Sequence, residues 1–156
     1  MDVVINASPL ILLNKIGRLE LLNNLFDTVY VPSAVLQEIQ EADKPKVDLN
    51  LLDFQQLKVV NKVAVLGLLG RLHLGEVEVM VGAIERNVQT VVLDDNAARN
   101  KAKQLGLHVT GTLGILQGAY KKGFVNNLEK EITNLKSVGM YLSSEIVRKI
   151  LSFSGK

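Results

Sequence analysis

Short apolar runs alternate along the chain with longer segments in which leucine, isoleucine or valine recurs at helical spacing. The short runs are rich in β-branched residues and predict five strands, over 2–5, 28–31, 57–60, 90–93 and 107–109. The longer segments predict helices over 10–25 with a break near Gly17, 34–42, 75–86 and 96–105, with one or two more over 128–153. The chain therefore alternates strands with helices along most of its length.

Strands separated by helices have crossover connections, which produce parallel pairing. Helices that make these crossovers cover the faces of the sheet. The pattern predicts an α/β fold, a three-layer α/β/α sandwich with a mostly parallel sheet. No internal repeat, low-complexity tract or linker divides the sequence, so residues 1–156 are predicted to form a single domain.

Polar residues stand at the ends of four of these apolar segments. They are Asn6 after the first run, Glu38 in the helix after the second, Glu76 at the start of a later helix, and Asp94 and Asp95 after the fourth run. Carboxyl ends of parallel strands and the starts of the following helices face one crevice. Converging carboxylates repel each other, and a hard divalent cation bound through oxygen relieves the repulsion. The pattern predicts a metal-dependent phosphodiester hydrolase.

Composition limits the class of protein and the kinds of metal site that are expected. Hydrophobic residues make up 47% of the 156 residues and charged residues 22%, which is ordinary for a globular domain. The chain has no cysteine, which excludes disulfides and thiolate metal sites. His73 and His108 lie 35 positions apart, so a histidine-based zinc site is not expected. Asp2 stands where a signal peptide would be basic, and no apolar run reaches membrane-spanning length, so we expect a cytoplasmic protein without a membrane segment.

Charge is unevenly distributed although the net charge is only +2. Residues 1–54 have four basic and eight acidic side chains, and residues 119–156 have seven basic and three acidic ones. This distribution suits an acidic site beside a basic rim that holds phosphates. Arg99, Lys101 and Lys103 follow the Asp95 position and are candidate contacts to RNA phosphates, although Arg99 is equally suited to hold a site carboxylate in place.

Four short motifs resemble a branch of the PIN-domain family in their order and spacing. The motifs are Asn6-Ala7-Ser8-Pro9-Leu10, Gly75-Glu76, Leu93-Asp94-Asp95 with Ala98-Arg99, and Gly106-Leu107 leading to Thr110-Gly111-Thr112. The similarity runs from about Val3 to Leu151 and is greatest to the compact prokaryotic proteins of the VapC-toxin type. It implies a ribonuclease dependent on Mg²⁺ or Mn²⁺, often paired with a protein antitoxin.

The resemblance also implies roles for individual residues. Glu38, Glu76 and Asp95 match the catalytic and metal-binding acids, with Asp94 as a substitute for Asp95. PIN nucleases have an aspartate at the end of the first strand, where this chain has Asn6. An amide oxygen ligates Mg²⁺ without adding negative charge, so the resemblance implies a metal site of reduced affinity.

Each of these residues has a structural alternative. Asn6 could cap a helix or form a turn, Glu38 could be a solvated helix residue, Glu76 could complement the helix dipole, and Asp94-Asp95 could be an N-cap pair. The segment 111–114 weakly resembles a phosphate-binding loop, but a turn and helix start is favoured. Three functions remain open: a PIN ribonuclease, possible toxin of a type II toxin-antitoxin pair; a weakened relative that binds RNA or protein; and an unrelated α/β module for a small anionic ligand.

Apolar content also bears on assembly. Leucines are dense in the early helical segments 10–13 and 19–25, beyond what one side of a small sheet requires. Exposed apolar patches usually mark interaction surfaces, so we expect a homodimer.

Overall fold

Five parallel strands form the centre of the computed structural model, which describes residues 1–41 and 43–153. They are β1 (Val3–Ile5), β2 (Val29–Pro32), β3 (Gln55–Leu57), β4 (Thr90–Val92) and β5 (His108–Thr110). The strand order in the sheet is β3-β2-β1-β4-β5, and every pairing among the described strands is parallel. The predicted parallel sheet is therefore confirmed.

Helices connect these strands and extend the chain after β5. Those in the described residues are α1 (Ala7–Lys15), α2 (Glu20–Leu25), α3 (Ser33–Ile39), α4 (Lys62–Leu68), α5 (Leu74–Glu85), α6 (Asn96–Gln104), α7 (Thr112–Lys121), α8 (Leu128–Ser137) and α9 (Ser144–Phe153), with a short 3-10 helix at Leu49–Leu51. Ser143 caps α9, because its hydroxyl accepts a hydrogen bond from the Ile146 amide at 3.1 Å.

The central strands are buried on both faces. All residues of β1 are fully buried, and those of β4 are nearly so. A strand becomes inaccessible in this way only when helices cover both sides of the sheet. The three-layer α/β/α sandwich predicted from the sequence is confirmed.

Two segments differ from the prediction. The third strand ends at Leu57 instead of continuing to residue 60, because the Glu85 carboxylate accepts hydrogen bonds from the amides of Val60 at 3.0 Å and Asn61 at 2.6 Å. The unpredicted helix α4 follows directly, and the Asn61 side chain caps it by accepting from the Ala64 amide at 3.0 Å.

The break between the first two helices agrees with the prediction, whereas the helix after β2 ends earlier than predicted. The segment 10–25 is divided into α1 and α2 as expected, and Gly17 lies between them with a φ of 71° that favours glycine. The helix predicted over 34–42 ends at Ile39, and Ala42 lies outside the described residues.

The leucine-rich early helices do not provide the expected dimer surface. Leu10, Leu13 and Leu22 are 0% exposed, and Leu19 is 2% exposed, because all four pack into the protein's own core. The apolar residues of these helices are thus used in folding. The homodimer stays a prediction, but this argument for it was wrong.

An ion pair ties the turn between α1 and α2 to α8. The Arg18 guanidinium donates to Oε1 of Glu131 from Nε at 3.0 Å and from Nη2 at 2.5 Å. This hydrogen bond raises the pKa of Arg18. Glu131 is only 4% exposed, and Arg18 is the cation that pairs with this buried carboxylate.

Candidate metal centre

Asn6 occupies the junction between β1 and α1, at the carboxyl edge of the sheet. The backbone N–H of Asn6 donates to the Val92 carbonyl at 3.1 Å, which places the residue beside the end of β4. Asn6 has the backbone position of an N-cap, but its side chain makes no capping hydrogen bond. The residue is 7% exposed, and its Oδ1 has no hydrogen-bond partner among the described residues. A buried carbonyl oxygen without a partner is unfavourable, so this geometry favours a ligand over a cap.

Gly75 creates the space in front of Asn6. A Cβ atom built at Gly75 would lie 3.3 Å from Oδ1 of Asn6 and 3.2 Å from Oε1 of Glu38. Both oxygens therefore flank the same small space, which any side chain at position 75 would crowd. Glu38 is half-buried on α3 and borders a cavity of about 340 Å³ that His73 and Gly75 also line. The structure thus brings two of the predicted ligands, from separate elements, to one point.

Glu76 lies next to Gly75 in the chain and is buried at 6% exposure. Its Oε1 accepts a hydrogen bond from the His73 amide at 3.0 Å, so the carboxylate caps the first turn of α5. This is the helix-start role that the sequence offered as the alternative.

Glu78 is a second buried acid on α5 that sequence reasoning did not single out. It is 7% exposed, and its Oε1 accepts from the Ala34 amide at 2.9 Å. The bond fixes the start of α3, the helix that carries Glu38. A polar residue inside the apolar pattern of 77–84 was the available signal.

Asp94 and Asp95 have different environments after β4. Asp95 is exposed and caps α6, because its Oδ2 accepts from the Ala98 amide at 3.0 Å. Asp94 binds the start of α7: its Oδ1 accepts from the Thr112 amide at 2.8 Å and its Oδ2 from the Thr112 hydroxyl at 2.7 Å. Thr112 is fully buried, so Asp94 is held firmly against α7. Thr112 lies in one of the motifs that resemble the PIN-domain family, but the sequence predicted no role for it.

Arg99 contacts the segment between β4 and α6. Its Nη1 donates to the Leu93 carbonyl at 2.9 Å, which holds the end of β4. A Cβ atom at Gly111 would lie 2.8 Å from both this Nη1 and Oδ1 of Asp94, so the close approach requires glycine. Segment 111–114 is the predicted turn and helix start, since α7 begins at Thr112.

The other two predicted RNA contacts lie farther along α6. Lys103 is four residues after Arg99 and shares its side of the helix, whereas Lys101 lies on a different side. Lys103 is exposed and Lys101 is half-buried. The three cations therefore do not form one row.

Within residues 1–41 and 43–153, no group of three His, Cys, Asp or Glu side chains is arranged to hold a metal ion. Asn6 and Glu38 meet at Gly75, while Glu76, Asp94 and Asp95 accept hydrogen bonds from the protein. The full set of predicted ligands stays a prediction.

The donors that do meet fit a hard divalent cation. An amide oxygen and a carboxylate oxygen are ligands that Mg²⁺ and Mn²⁺ accept, and Mg²⁺ commonly binds through one or two carboxylates while keeping several waters. The orphaned Oδ1 of Asn6 and the space at Gly75 are both consistent with such an ion.

The oxygen donors lie at the carboxyl edge of a parallel α/β sheet, which is where ligands of such sheets bind. A family model described as a PIN domain matches residues 2–156, and the chain belongs to the PIN-domain family. This membership excludes the unrelated anion-binding module. Neither the curated proteins nor the solved structures provided a match. In the described part of the chain, every helix is too short or too polar to cross a membrane.

Proposed function

We propose that the protein is a metal-dependent ribonuclease of the PIN type that uses Mg²⁺ or Mn²⁺. One observation carries the proposal. Oδ1 of Asn6, which is buried and has no partner among the described residues, and Oε1 of Glu38 lie beside the same space at Gly75. Two oxygen donors from β1 and α3 are thereby arranged around a position that no side chain fills.

Asn6 and Glu38 would hold the ion, with Glu76 and Asp95 as the further acids of the site and Asp94 as the substitute for Asp95. A bound divalent ion stabilises charge on the phosphoryl oxygens and activates water. Glu38 supplies negative charge, and Asn6 supplies a neutral oxygen dipole. Glu76 follows Gly75 directly and would reach the site by exchanging its hydrogen bond to His73.

The substrate would be held through its phosphates. Lys103 is exposed, and Arg99 uses Nη1 for the Leu93 carbonyl while its guanidinium has further donors. With Lys101 and the basic excess over residues 119–156, they would form the RNA contacts. The chain has only seven aromatic residues, so phosphate contacts would contribute more than base stacking.

The test is cleavage of a mixed RNA pool with Mn²⁺ and with EDTA. We expect cleavage that EDTA abolishes, and we expect Glu38→Gln to reduce it by about 100-fold because one of the two converging oxygens loses its charge. Gly75→Ala should also reduce it, because the added Cβ would occupy the space between the oxygens. Glu129→Gln, which neutralises an exposed glutamate on α8, is the matched control and should retain full activity. Cleavage that persists in EDTA or in Glu38→Gln would contradict the proposal.

A second candidate is a catalytically weakened PIN-like protein that acts by binding RNA or a partner protein. The observation that favours it is that Glu76, Asp94 and Asp95 each accept hydrogen bonds within the fold, so fewer charges face the site. Retention of RNA or protein with no cleavage in Mg²⁺ or Mn²⁺ would support this candidate against the first.

Three further proposals concern the protein's location, its biological role and its oligomeric state. We place the protein in the cytoplasm, as the toxin of a type II toxin-antitoxin pair and as a homodimer. A small antitoxin-like gene directly beside this one would support the pairing. For the homodimer, the exposed apolar side chains around α4 are the best available surface, with Val63 81% and Leu66 70% exposed.

A further inference from the structure

A cavity at the opposite edge of the sheet from Asn6 lies outside the candidate metal centre. Its volume is about 700 Å³, and it is bordered by the start of β4, the strand β5, the end of α2 and one face of α7. Sites for small molecules typically measure roughly 300–1,000 Å³. Neither Asn6 nor Glu38 lines this cavity, so the proposed nuclease site does not account for it.

The floor of the cavity is polar. His108 and Thr110 alternate with Val109 on β5, so they project to the same face of the sheet. Thr90 pairs with His108 across the strands, and all three polar side chains line the cavity. His108 is exposed on the edge strand β5, and the Thr90 hydroxyl donates to Sδ of Met1 at 3.3 Å, so the floor presents hydrogen-bonding groups at the open side of the sheet.

The roof of the cavity is kept open by a glycine. Gly118 lies inside α7 and lines the cavity, and a Cβ atom built there would meet nothing within 4 Å. Packing therefore does not require glycine at this position, although glycine inside a helix lowers stability relative to alanine. Because Gly118 lines the cavity and the space around its Cβ position is open, we expect a larger side chain there to narrow the cavity.

The side chains on the walls and at the mouth of the cavity determine which ligand it can bind. Apolar side chains form the walls: Leu25, Phe26, Val88 and Ile115. At the mouth lie the carboxylate of Asp2, the ammonium of Lys122 and the α-ammonium of Met1, which is paired with the Asp27 carboxylate. The carboxamides of Asn87 and Gln89 add neutral hydrogen-bonding groups. This lining contacts ring faces and satisfies polar edges, but it has no excess charge for an ionic group.

We propose that this cavity binds a small, uncharged, ring-bearing molecule with several hydrogen-bonding groups, of the size and polarity of a nucleoside. The ring packs between the apolar walls, and its polar edge faces His108, Thr110 and Thr90. The site is separate from the proposed metal centre, and its occupancy does not depend on metal.

The experiment is a titration of the whole ¹⁵N-labelled protein with adenosine, guanosine, cytidine and uridine, without metal. We expect at least one nucleoside to shift the amide resonances of His108, Thr110 and Gly118 saturably. Gly118→Leu should fill the cavity and weaken that binding by at least about ten-fold. Gly67→Leu is the matched control, because Gly67 is also a helix glycine whose added Cβ meets nothing within 4 Å, and it does not line this cavity. The control should bind as the natural protein does.

Several outcomes would overturn the proposal. They are the absence of saturable shifts with all four nucleosides, shifts confined to the region of Glu38 and Gly75, and unchanged affinity in Gly118→Leu. Binding of the nucleoside monophosphates alone would identify an anion site and also contradict it. If Gly118→Leu fails to fold, Thr110→Val and the shift map of the natural protein decide between these results.

Discussion

At the scale of single residues, Asn6 is the most consequential position. Its Oδ1 is buried without a partner in the described chain, although short-range capping was available to it at the start of α1. The structure therefore favours a ligand role for Asn6 over a turn or cap role. Of the two oxygens nearest to a Cβ atom built at Gly75, only that of Glu38 belongs to a carboxylate, because the Asn6 side chain is a neutral amide.

Asn6→Asp tests this interpretation. The substitution adds one negative charge in almost the same volume, so we expect Mn²⁺ affinity to rise about ten-fold and RNA cleavage to rise with it. Without metal, repulsion from Glu38 should lower the melting temperature. Thermal shift across a Mn²⁺ titration measures both effects, because a ligand that binds only the folded protein stabilises it. Asn24→Asp, which adds the same charge at an exposed position on α2, is the control.

The interpretation fails if Asn6→Asp leaves Mn²⁺ affinity at the level of Asn24→Asp. If the natural protein also cleaves RNA well, the amide is a positioning group and the chemistry rests on the other acids. If neither form binds metal nor cleaves RNA, the binding function replaces the ribonuclease proposal.

At the scale of elements, acidic side chains join helices and loops that are distant in sequence. Glu78 of α5 fixes the start of α3, Asp94 fixes the start of α7, and Glu131 of α8 holds Arg18. Each contact pairs a carboxylate oxygen with a donor of a second element and thereby sets the position of that element. The candidate site depends on the first of these contacts, because α3 carries Glu38.

Arg18→Met should destabilise the fold, because it leaves the Glu131 carboxylate buried without its partner. We expect a loss of about 2 kcal/mol in the free energy of unfolding, at the low end for buried pairs because the Arg18 side chain is 35% exposed. Urea denaturation measures it, with Arg148→Met at an exposed arginine as the control. Glu131→Leu combined with Arg18→Met should recover much of the loss. Equal stability of Arg18→Met and Arg148→Met would show that the ion pair contributes little.

At the scale of the whole molecule, the core uses the early leucines and leaves other apolar residues exposed. Val60, Val63 and Leu66 around α4 are 70–81% exposed. Val63 and Leu66 belong to α4, which packs on α5, and Val60 precedes them at the same three-residue spacing. We therefore propose α4, and not α1 or α2, as the surface for association.

The homodimer predicts a molecular mass of about twice the 17.1 kDa chain by light scattering at micromolar concentration. Val63→Asp should convert the dimer to a monomer, because a charge in a buried apolar interface is unfavourable. Lys58→Asp, a surface substitution just before this segment, should leave the mass unchanged. A monomeric mass for the natural protein would contradict the homodimer, and a dimer that persists in Val63→Asp would move the interface away from α4.

The sequence by itself determined the parallel character of the sheet, the strands β1, β2, β4 and β5, and the positions of the candidate ligands along the chain. The apolar runs that became β1 and β4 are continuous and buried on both faces, so their composition alone marks them. Asn6 and the two aspartates follow those strands directly, and the N-cap role of Asp95 depends on an amide three residues away. Such features are local, and local patterns are readable without a structure.

Only the tertiary structure decided which oxygens are free and which are already bonded. Asp94 is bonded to Thr112, 18 residues away, and Oδ1 of Asn6 meets Glu38 at a glycine about 70 positions later. The early end of β3 also depends on distant residues, because the Glu85 carboxylate accepts hydrogen bonds from the backbone amides of Val60 and Asn61, 25 and 24 residues before it. Hydrogen bonds between distant segments have no signal in local periodicity, because they depend on how helices and strands pack after the chain has folded.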